Sequence, residues 1–151
     1  GSYHMQHGLA LTKQILPFVD VLFVNTQEAA RLLEKKASIQ RYCAFFHDQG
    51  ISTVVITDGE KGSYASTTTS LLFLPSFRVP VIAKTGAGDA FASGFFFAYI
   101  RGASLEEALR SGTANASGVL QQVGATQGLL TPRTLRSMMQ DFSSVRVKQL
   151  R

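Results

Sequence analysis

The chain contains a short glycine-rich loop, Gly86-Ala87-Gly88-Asp89, directly before an apolar run that is typical of a helix. Residues without bulky side chains let a ligand approach the backbone closely. Because a helix begins here, unpaired N–H groups and the positive end of the helix dipole face the loop and favour an anion. A bound anion would repel a neighbouring carboxylate, so an aspartate at this position suggests a chemical function. The simplest task for Asp89 is to accept a proton from a hydroxyl that attacks a phosphoryl group.

Taken alone, this loop is a weak signal, because glycine-rich turns between strands and helices are common. The alternative interpretation is a tight turn with a solvated aspartate at the helix start. The choice between the two depends on the elements that surround the loop and on the other motifs of the chain.

The surrounding elements alternate between strands and helices. Apolar runs predict buried parallel strands at Val21–Val24 and Ser52–Thr57, and a hairpin is predicted from Ser63–Ser66 and Leu71–Leu74. Helices are predicted over Leu9–Phe18, over Thr26–Lys35 with Thr26 as its cap, over Ser38–Gly50, over Gly88–Ile100, after a Ser104/Glu107 capping box, and from Thr131-Pro132 onward. A final strand is predicted at Val145–Leu150. This alternation predicts an α/β fold with helices on the faces of a sheet.

Residues 83–94 resemble the carboxy-terminal signature of the ribokinase-like (PfkB) carbohydrate kinases, which usually reads D-T-x-G-A-G-D-x-F-x-[AS]-G. Three further segments agree with this family in order and character. Residues 25–28 look like its N-x-x-E motif, residues 54–62 like its nucleotide-side strand and turn, and residues 114–125 like the late helix and turn that close over the adenine. The resemblance runs from about Asp20 to Pro132.

The resemblance implies an ATP-dependent kinase that transfers the γ-phosphoryl group to a hydroxyl of a sugar or nucleoside. Asp89 would be the general base, and the N–H groups of the Gly86, Ala87 and Gly88 loop would form the anion hole. The nucleotide and its Mg²⁺ would be met by Asn25, Glu28, Thr57, Asp58, Gly59, Gly62 and Asn115.

Two of these groups have more specific implied roles and also structural alternatives. Glu28 would hold the Mg²⁺ through water, beside Asn25 on the phosphate side; the alternative is a turn followed by a first-turn helix acid. Asn115 would border the adenine; the alternative is an ordinary helix residue.

Two departures from the family pattern change these expectations. Ala83-Lys84 replaces the usual Asp-Thr, and Ala83 lacks the carboxylate that helps many members to hold a monovalent cation. This argues against potassium activation, and we hypothesise that the Lys84 ammonium takes over part of the cation's role. The second departure is that the family's N-terminal strands, lid and most sugar-binding residues have no counterpart here. The predicted fold is therefore a ribokinase-like three-layer α/β sheet lacking those parts.

The missing counterparts leave a second hypothesis open. The chain would be a truncated, catalytically inactive kinase-like module that acts in binding or assembly. An open sheet edge and apolar surface would favour a homo-oligomer. A dinucleotide-binding oxidoreductase is a weaker alternative, because Phe91 stands where G-x-G-x-x-G requires a third glycine or alanine.

Composition limits the remaining classes. The 151 residues, 45% hydrophobic and 17% charged, fit one globular domain. We expect this domain to span residues 8–151, because residues 1–7 begin like the remnant of an expression tag. The single cysteine, Cys43, is expected to be buried and agrees with a cytoplasmic location. The net charge of +5 is scattered, so no nucleic-acid partner is expected, and no apolar run approaches a membrane span.

The predicted helix at residues 88–100 is rich in aromatic residues. Their spacing predicts that they pack between the sheet and the helices; they are Phe91, Phe95, Phe96, Phe97 and Tyr99.

Overall fold

The computed structural model describes residues 13–150 and places five strands in one mixed sheet that is covered by helices. The strands are β1 Val21–Asn25, β2 Thr53–Thr57, β3 Ser63–Thr67, β4 Ser70–Leu74 and β5 Lys148–Leu150. The helices that position the site are α1 Thr26–Leu33, α2 Ile39–Asp48, α3 Ala87–Tyr99, α4 Leu105–Leu120 and α5 Pro132–Asp141. Short 3₁₀ helices occur at Leu16–Phe18 and Gly59–Lys61. Residues 9–12 of the helix predicted at 9–18, and all of 1–7, lie outside the described residues; residues 13–18 are helical, ending in the 3₁₀ turn.

The strands follow one another across the sheet in the order β1-β2-β3-β4-β5. The β1–β2 pair is parallel, whereas the remaining pairs are antiparallel. The parallel register aligns Asn25 with Thr57, so both strands end at the same edge of the sheet. The carboxyl ends of parallel strands are where open α/β sheets bind ligands, and two residues of the predicted nucleotide site lie there.

The sheet is the middle layer of three. In β2, Val54 and Ile56 pack with buried residues of α1 and α2, whereas Val55 packs with buried residues of α3 and α4. Because successive strand residues point to opposite faces, this apolar strand needs a helical layer on each side. The predicted three-layer architecture is therefore confirmed.

Helices α3 and α4 approach each other so closely that glycine is required at their crossing. A Cβ atom on Gly94 would lie 2.8 Å from the Asn115 Cβ, and one on Gly112 would lie 2.9 Å from the Phe91 carbonyl oxygen. The Ser111 hydroxyl also donates to the Gly94 carbonyl at 2.7 Å. The contact fixes how α3 lies against its neighbour.

Contacts with the sheet fix the direction of α3. The Phe95 ring packs edge-on against Phe23 in β1, with centroids 5.3 Å apart. Near the other end of α3, the hydroxyls of Tyr99 and Thr53 are 3.0 Å apart. Since Thr53 is the first residue of β2, the carboxyl end of α3 lies at the start of the strands. The amino end of α3 therefore points toward the strands' carboxyl ends.

Both predicted bounds of the helix at Thr26–Lys35 are wrong. Asn25, rather than Thr26, caps α1: its side chain accepts the N–H groups of Gln27 and Glu28, and Glu28 accepts the Asn25 N–H in return. This reciprocal capping box satisfies donors that the first turn would leave unpaired. The helix ends at Leu33 instead of Lys35, because Glu34 adopts a left-handed conformation with φ 59°.

Two other predictions need correction. Phe91 and Phe95 are buried, but Phe96 and Phe97 are 44% and 43% exposed. Consecutive helix residues are 100° apart, so only part of an unbroken aromatic run can face the sheet. The last strand begins at Lys148 because the chain still turns at Val145, whose N–H donates to the Phe142 carbonyl.

Most other sequence signals are confirmed with shifts of one or two residues. Ser38 caps α2, Ser104 and Glu107 form the capping box of α4, and Thr131 caps α5. Cys43 is buried as expected, and this burial raises the pKa of its thiol. Within residues 13–150 no helix combines the length and apolarity needed to cross a membrane.

The α3–α4 crossing generates a stability prediction. Gly112→Ala should lower the free energy of unfolding by about 1–3 kcal/mol, because the added methyl group collides with the Phe91 backbone. Gly88→Ala is the matched control, since a Cβ there meets nothing within 4 Å. The control should gain up to about 1 kcal/mol from the better helix propensity of alanine. Urea denaturation of both variants measures the difference; equal effects would contradict a closed crossing.

Candidate functional site

One carboxylate connects the chain segments that follow the carboxyl ends of β1 and β2. Asp58, which follows β2, accepts a hydrogen bond from the Thr26 hydroxyl at 3.2 Å and from the Lys61 ammonium at 3.0 Å. The hydrogen bond to Asp58 raises the pKa of the Lys61 ammonium group. Asp58 therefore holds the start of α1 and the β2–β3 turn in one arrangement. The sequence placed Asp58 at the nucleotide but gave no sign of its partner Thr26, which is 32 residues away.

The glycines of the β2–β3 turn are needed for different reasons. Gly62 has φ 132°, and any Cβ there would collide with the Leu74 backbone, so the fold itself requires glycine. Gly59 has φ 56°, but a Cβ there would meet nothing within 4 Å. The turn is thus packed on its β4 side and open where Gly59 lies.

The anion loop predicted from the sequence is the amino end of α3. Gly86 is the N-cap, with φ 81°. A Cβ on Gly86 would lie 2.7 Å from the Ala125 carbonyl oxygen, whereas Gly88 has open space where its side chain would be. The fold therefore explains why position 86 is glycine but does not explain position 88. A small residue with free space before it leaves room for a ligand against the backbone.

Three backbone donors of this loop are available. Within residues 13–150, the N–H groups of Gly86, Gly88 and Asp89 donate to no protein acceptor, and that of Ala87 reaches only the Lys84 carbonyl at 3.4 Å. These groups lie at the positive end of a 13-residue helix. Of the three N–H groups predicted for the anion hole, those of Gly86 and Gly88 have no acceptor among the described residues.

The Asp89 carboxylate lies in the first turn of α3 and is exposed. It forms no hydrogen bond or ion pair with any residue of the described range 13–150. A carboxylate without protein partners keeps its lone pairs free to accept a proton.

Asn115 is 7% exposed, and its amide is used inside the protein. Its Nδ2 donates to the Ala90 carbonyl at 2.8 Å and to the Ser93 hydroxyl at 3.3 Å, and its Oδ1 accepts the Leu130 N–H at 2.9 Å. Asn115 therefore connects the first turn of α3 to the chain that follows the late loop. This geometry favours a positioning role for Asn115 over direct contact with a ligand.

Two surface grooves of about 340 Å³ each adjoin this connection. One is lined by Ser93, Gly94, Phe97, Asn115, Leu129, Leu130, Pro132 and Leu135. The other lies beyond Leu129 and Leu130 and includes the polar side chains of Gln121, Gln122 and Gln127, which sequence reasoning missed. Neither groove includes Asp58 or residues 86–89.

The predicted metal residue has a local role. Glu28 Oε2 accepts the Asn25 N–H at 2.8 Å, and the Asn25 Oδ1 is engaged by two N–H groups of α1. Among the residues that the structure describes, no three His, Cys, Asp or Glu side chains converge to hold a metal ion. Asn25 and Glu28 therefore fit a cation that keeps most of its water ligands, as Mg²⁺ does when it binds phosphates. They do not fit a cation whose ligands all come from protein side chains.

Comparison with known proteins identifies the family. The model of the pfkB family of carbohydrate kinases matches residues 6–132, so this chain belongs to that family. The match includes all of the candidate site.

Individual relatives agree with this assignment. The chain is 34% identical to the ribokinase of Haemophilus influenzae over 125 residues, which are 80% of this chain and 41% of that enzyme. It is 35% identical to the cytidine kinase of Thermococcus kodakarensis over 116 residues, again 41% of the relative. An Escherichia coli protein assigned as a ribokinase II, solved with ATP and Mg²⁺, shares the fold with a TM-score of 0.85 at 19% identity, over 91% of this chain and 44% of that one. The chain thus spans less than half the length of these relatives.

The Asn115 contacts generate a second prediction. Asn115→Ala should lower the free energy of unfolding by about 1–3 kcal/mol, because the partly buried Leu130 N–H loses its acceptor and the Ala90 carbonyl loses one of its donors. Hydrogen exchange at Leu130 should accelerate more than the global loss explains. Gln127→Ala, on the exposed side of the same loop, should change stability by less than about 0.5 kcal/mol. Normal protection of Leu130 in the Asn115 variant would contradict this role.

Proposed function

We propose that this chain is the nucleotide-binding and catalytic part of an ATP-dependent kinase that phosphorylates a hydroxyl of a sugar or nucleoside. The observation that carries the proposal is the amino end of α3. There, among residues 13–150, the N–H groups of Gly88 and Asp89 and the Asp89 carboxylate have no protein partner, and a Cβ on Gly88 would meet nothing within 4 Å. Family membership supports ATP as the phosphoryl donor, as does the structural neighbour that holds ATP and Mg²⁺.

In this proposal each part of the site has one task. The Gly86–Gly88 loop donates N–H groups to the oxygens of the phosphoryl group, which stabilises charge without movement of the protein. Asp89 accepts the proton of the attacking hydroxyl as the new O–P bond forms, while the bond from the γ-phosphorus to the β–γ bridging oxygen breaks and ADP leaves. The Asp58 turn, held by Thr26, borders the nucleotide together with Thr57 and Gly59. Glu28 faces the Mg²⁺ through water, and the Mg²⁺ supplies charge neutralisation on the phosphates.

The acceptor class is proposed from the relatives. One of them is a ribokinase and another a cytidine kinase. The proposed acceptor is therefore a compound that carries a hydroxyl on ribose or on a similar sugar. In this proposal the acceptor hydroxyl approaches the exposed Asp89 carboxylate, which lines neither of the two grooves described above.

A second candidate function is assembly with another polypeptide, and one observation favours it. Asp89, Phe96 and Ile100 follow helical spacing along one side of α3, away from α4, and Phe96 and Ile100 are 44% and 62% exposed. Beside them, β1 is an edge strand of the sheet within the described residues. An apolar helix side next to an open strand edge is a surface that self-associates or binds a partner.

Mg–ATP titration by calorimetry tests the first function against the second. Saturable binding below millimolar concentration is expected, and Gly88→Val should weaken it at least about tenfold by filling the space before the loop. Ala44→Val, on the exposed side of α2, should leave the affinity unchanged. Absence of binding at millimolar Mg–ATP, together with a sedimentation coefficient above that of a monomer, would favour the assembly function.

Turnover tests the role of Asp89. Asp89→Asn keeps the size of the side chain but removes its basicity, so kcat should fall about 100-fold or more while Mg–ATP still binds. Transfer of the γ-phosphoryl group is measured with ribose, fructose and cytidine as acceptors, and Asp48→Asn on α2 is the surface control. Undiminished turnover in the Asp89 variant would remove its assignment as general base.

A further inference from the structure

One ion pair connects the two halves of the candidate nucleotide site. The Lys84 Nζ lies 3.1 Å from Glu60 Oε1. Lys84 stands two residues before the N-cap Gly86, and Glu60 lies in the 3₁₀ turn between β2 and β3. The pair therefore connects the loop before α3 to the β2–β3 turn, the two segments between which the polyphosphate is proposed to bind.

The charged ends of this pair are loosely held, although their backbones are fixed. The two side chains are 75% and 85% exposed, and such pairs contribute little stability and are screened by salt. In contrast, the Ser76 hydroxyl donates to the Glu60 carbonyl, and the Ala83 N–H donates to the Leu120 carbonyl at 3.3 Å. The backbone thus keeps both groups at the mouth of the site, while their long side chains are free to change partners.

The neighbouring charges leave Lys84 as the cation suited to an incoming anion. Lys61, on the same turn as Glu60, is already held by Asp58 at 3.0 Å. The Glu60 carboxylate, in contrast, would repel a polyphosphate. A lysine that leaves this carboxylate for a phosphate exchanges a weak surface contact for a charge-assisted bond to a more highly charged group.

We propose that Lys84 changes partners when nucleotide binds: its ammonium leaves Glu60 and pairs with the polyphosphate, so Glu60 acts as a built-in competitor that lowers nucleotide affinity. This inference rests on the proposed ATP site. It predicts effects of opposite sign for the two members of one ion pair, which a purely structural role would not produce.

The test is a double-mutant cycle with Mg–ATP and with adenosine, both titrated by calorimetry. Lys84→Met should weaken Mg–ATP binding about tenfold, whereas Glu60→Gln should strengthen it about threefold. In the Lys84→Met background, Glu60→Gln should have a smaller effect, because the competition has been removed. Adenosine, which carries no phosphate, should bind all four proteins equally. Lys36→Met, between α1 and α2, is the control for loss of one positive charge.

The outcomes separate this inference from the proposed function. If the unmodified chain binds Mg–ATP and neither variant shifts the affinity, the exchange is wrong while the ATP site stands. If adenosine affinity changes in parallel with that of Mg–ATP, the pair acts by holding the fold, which also overturns the exchange. If the unmodified chain binds neither ligand, the ATP site and the exchange both fail.

Discussion

The close approach of α3 and α4 is the constraint on which the candidate site depends. Gly94 and Gly112 remove the side chains that would separate the helices, and the space they leave is filled by backbone and by Asn115. Because the Asn115 amide then donates a hydrogen bond to the Ala90 carbonyl, the first turn of α3 is held in place on its α4 side. The N–H groups at the amino end of a helix bind an anion when they point toward it. The contact between α3 and α4 therefore supports anion binding by fixing the direction in which these N–H groups point.

The sheet supplies the opposite side of the same site. Parallel pairing ends β1 and β2 together, and the Asp58 carboxylate then joins the chain segments that leave them. These groups are far apart in sequence and become neighbours because strands and α3 run in opposite directions. The site is thus formed where three chain turns meet, with the turns themselves packed and the space between them open.

The sequence predicted the layers and the position of the loop, since strand runs, capping residues and glycine turns are local signals. It could not predict which aromatic residues of α3 are buried, because every residue of the run is apolar and only tertiary packing selects a side. It left Asn115 between a role at the adenine and that of an ordinary helix residue, and it could not predict that the amide is engaged by Ala90, Ser93 and Leu130. Contacts such as Thr26–Asp58 and Lys84–Glu60 join residues more than 20 positions apart and have no local signature.

The loop after α4 is fixed at its base by two glycines that face each other. A Cβ on Gly118 would lie 2.5 Å from the Gly128 carbonyl oxygen, and a Cβ on Gly128 would collide with the Gly118 backbone in return. Neither position therefore accepts a larger residue, yet several side chains between them are exposed, including Val123 and Gln127. Such a loop can diverge in sequence, by drift or by laboratory randomisation, while its ends stay in place. Substitutions in this loop thus change the chemistry of the adjoining groove while the surrounding fold is retained.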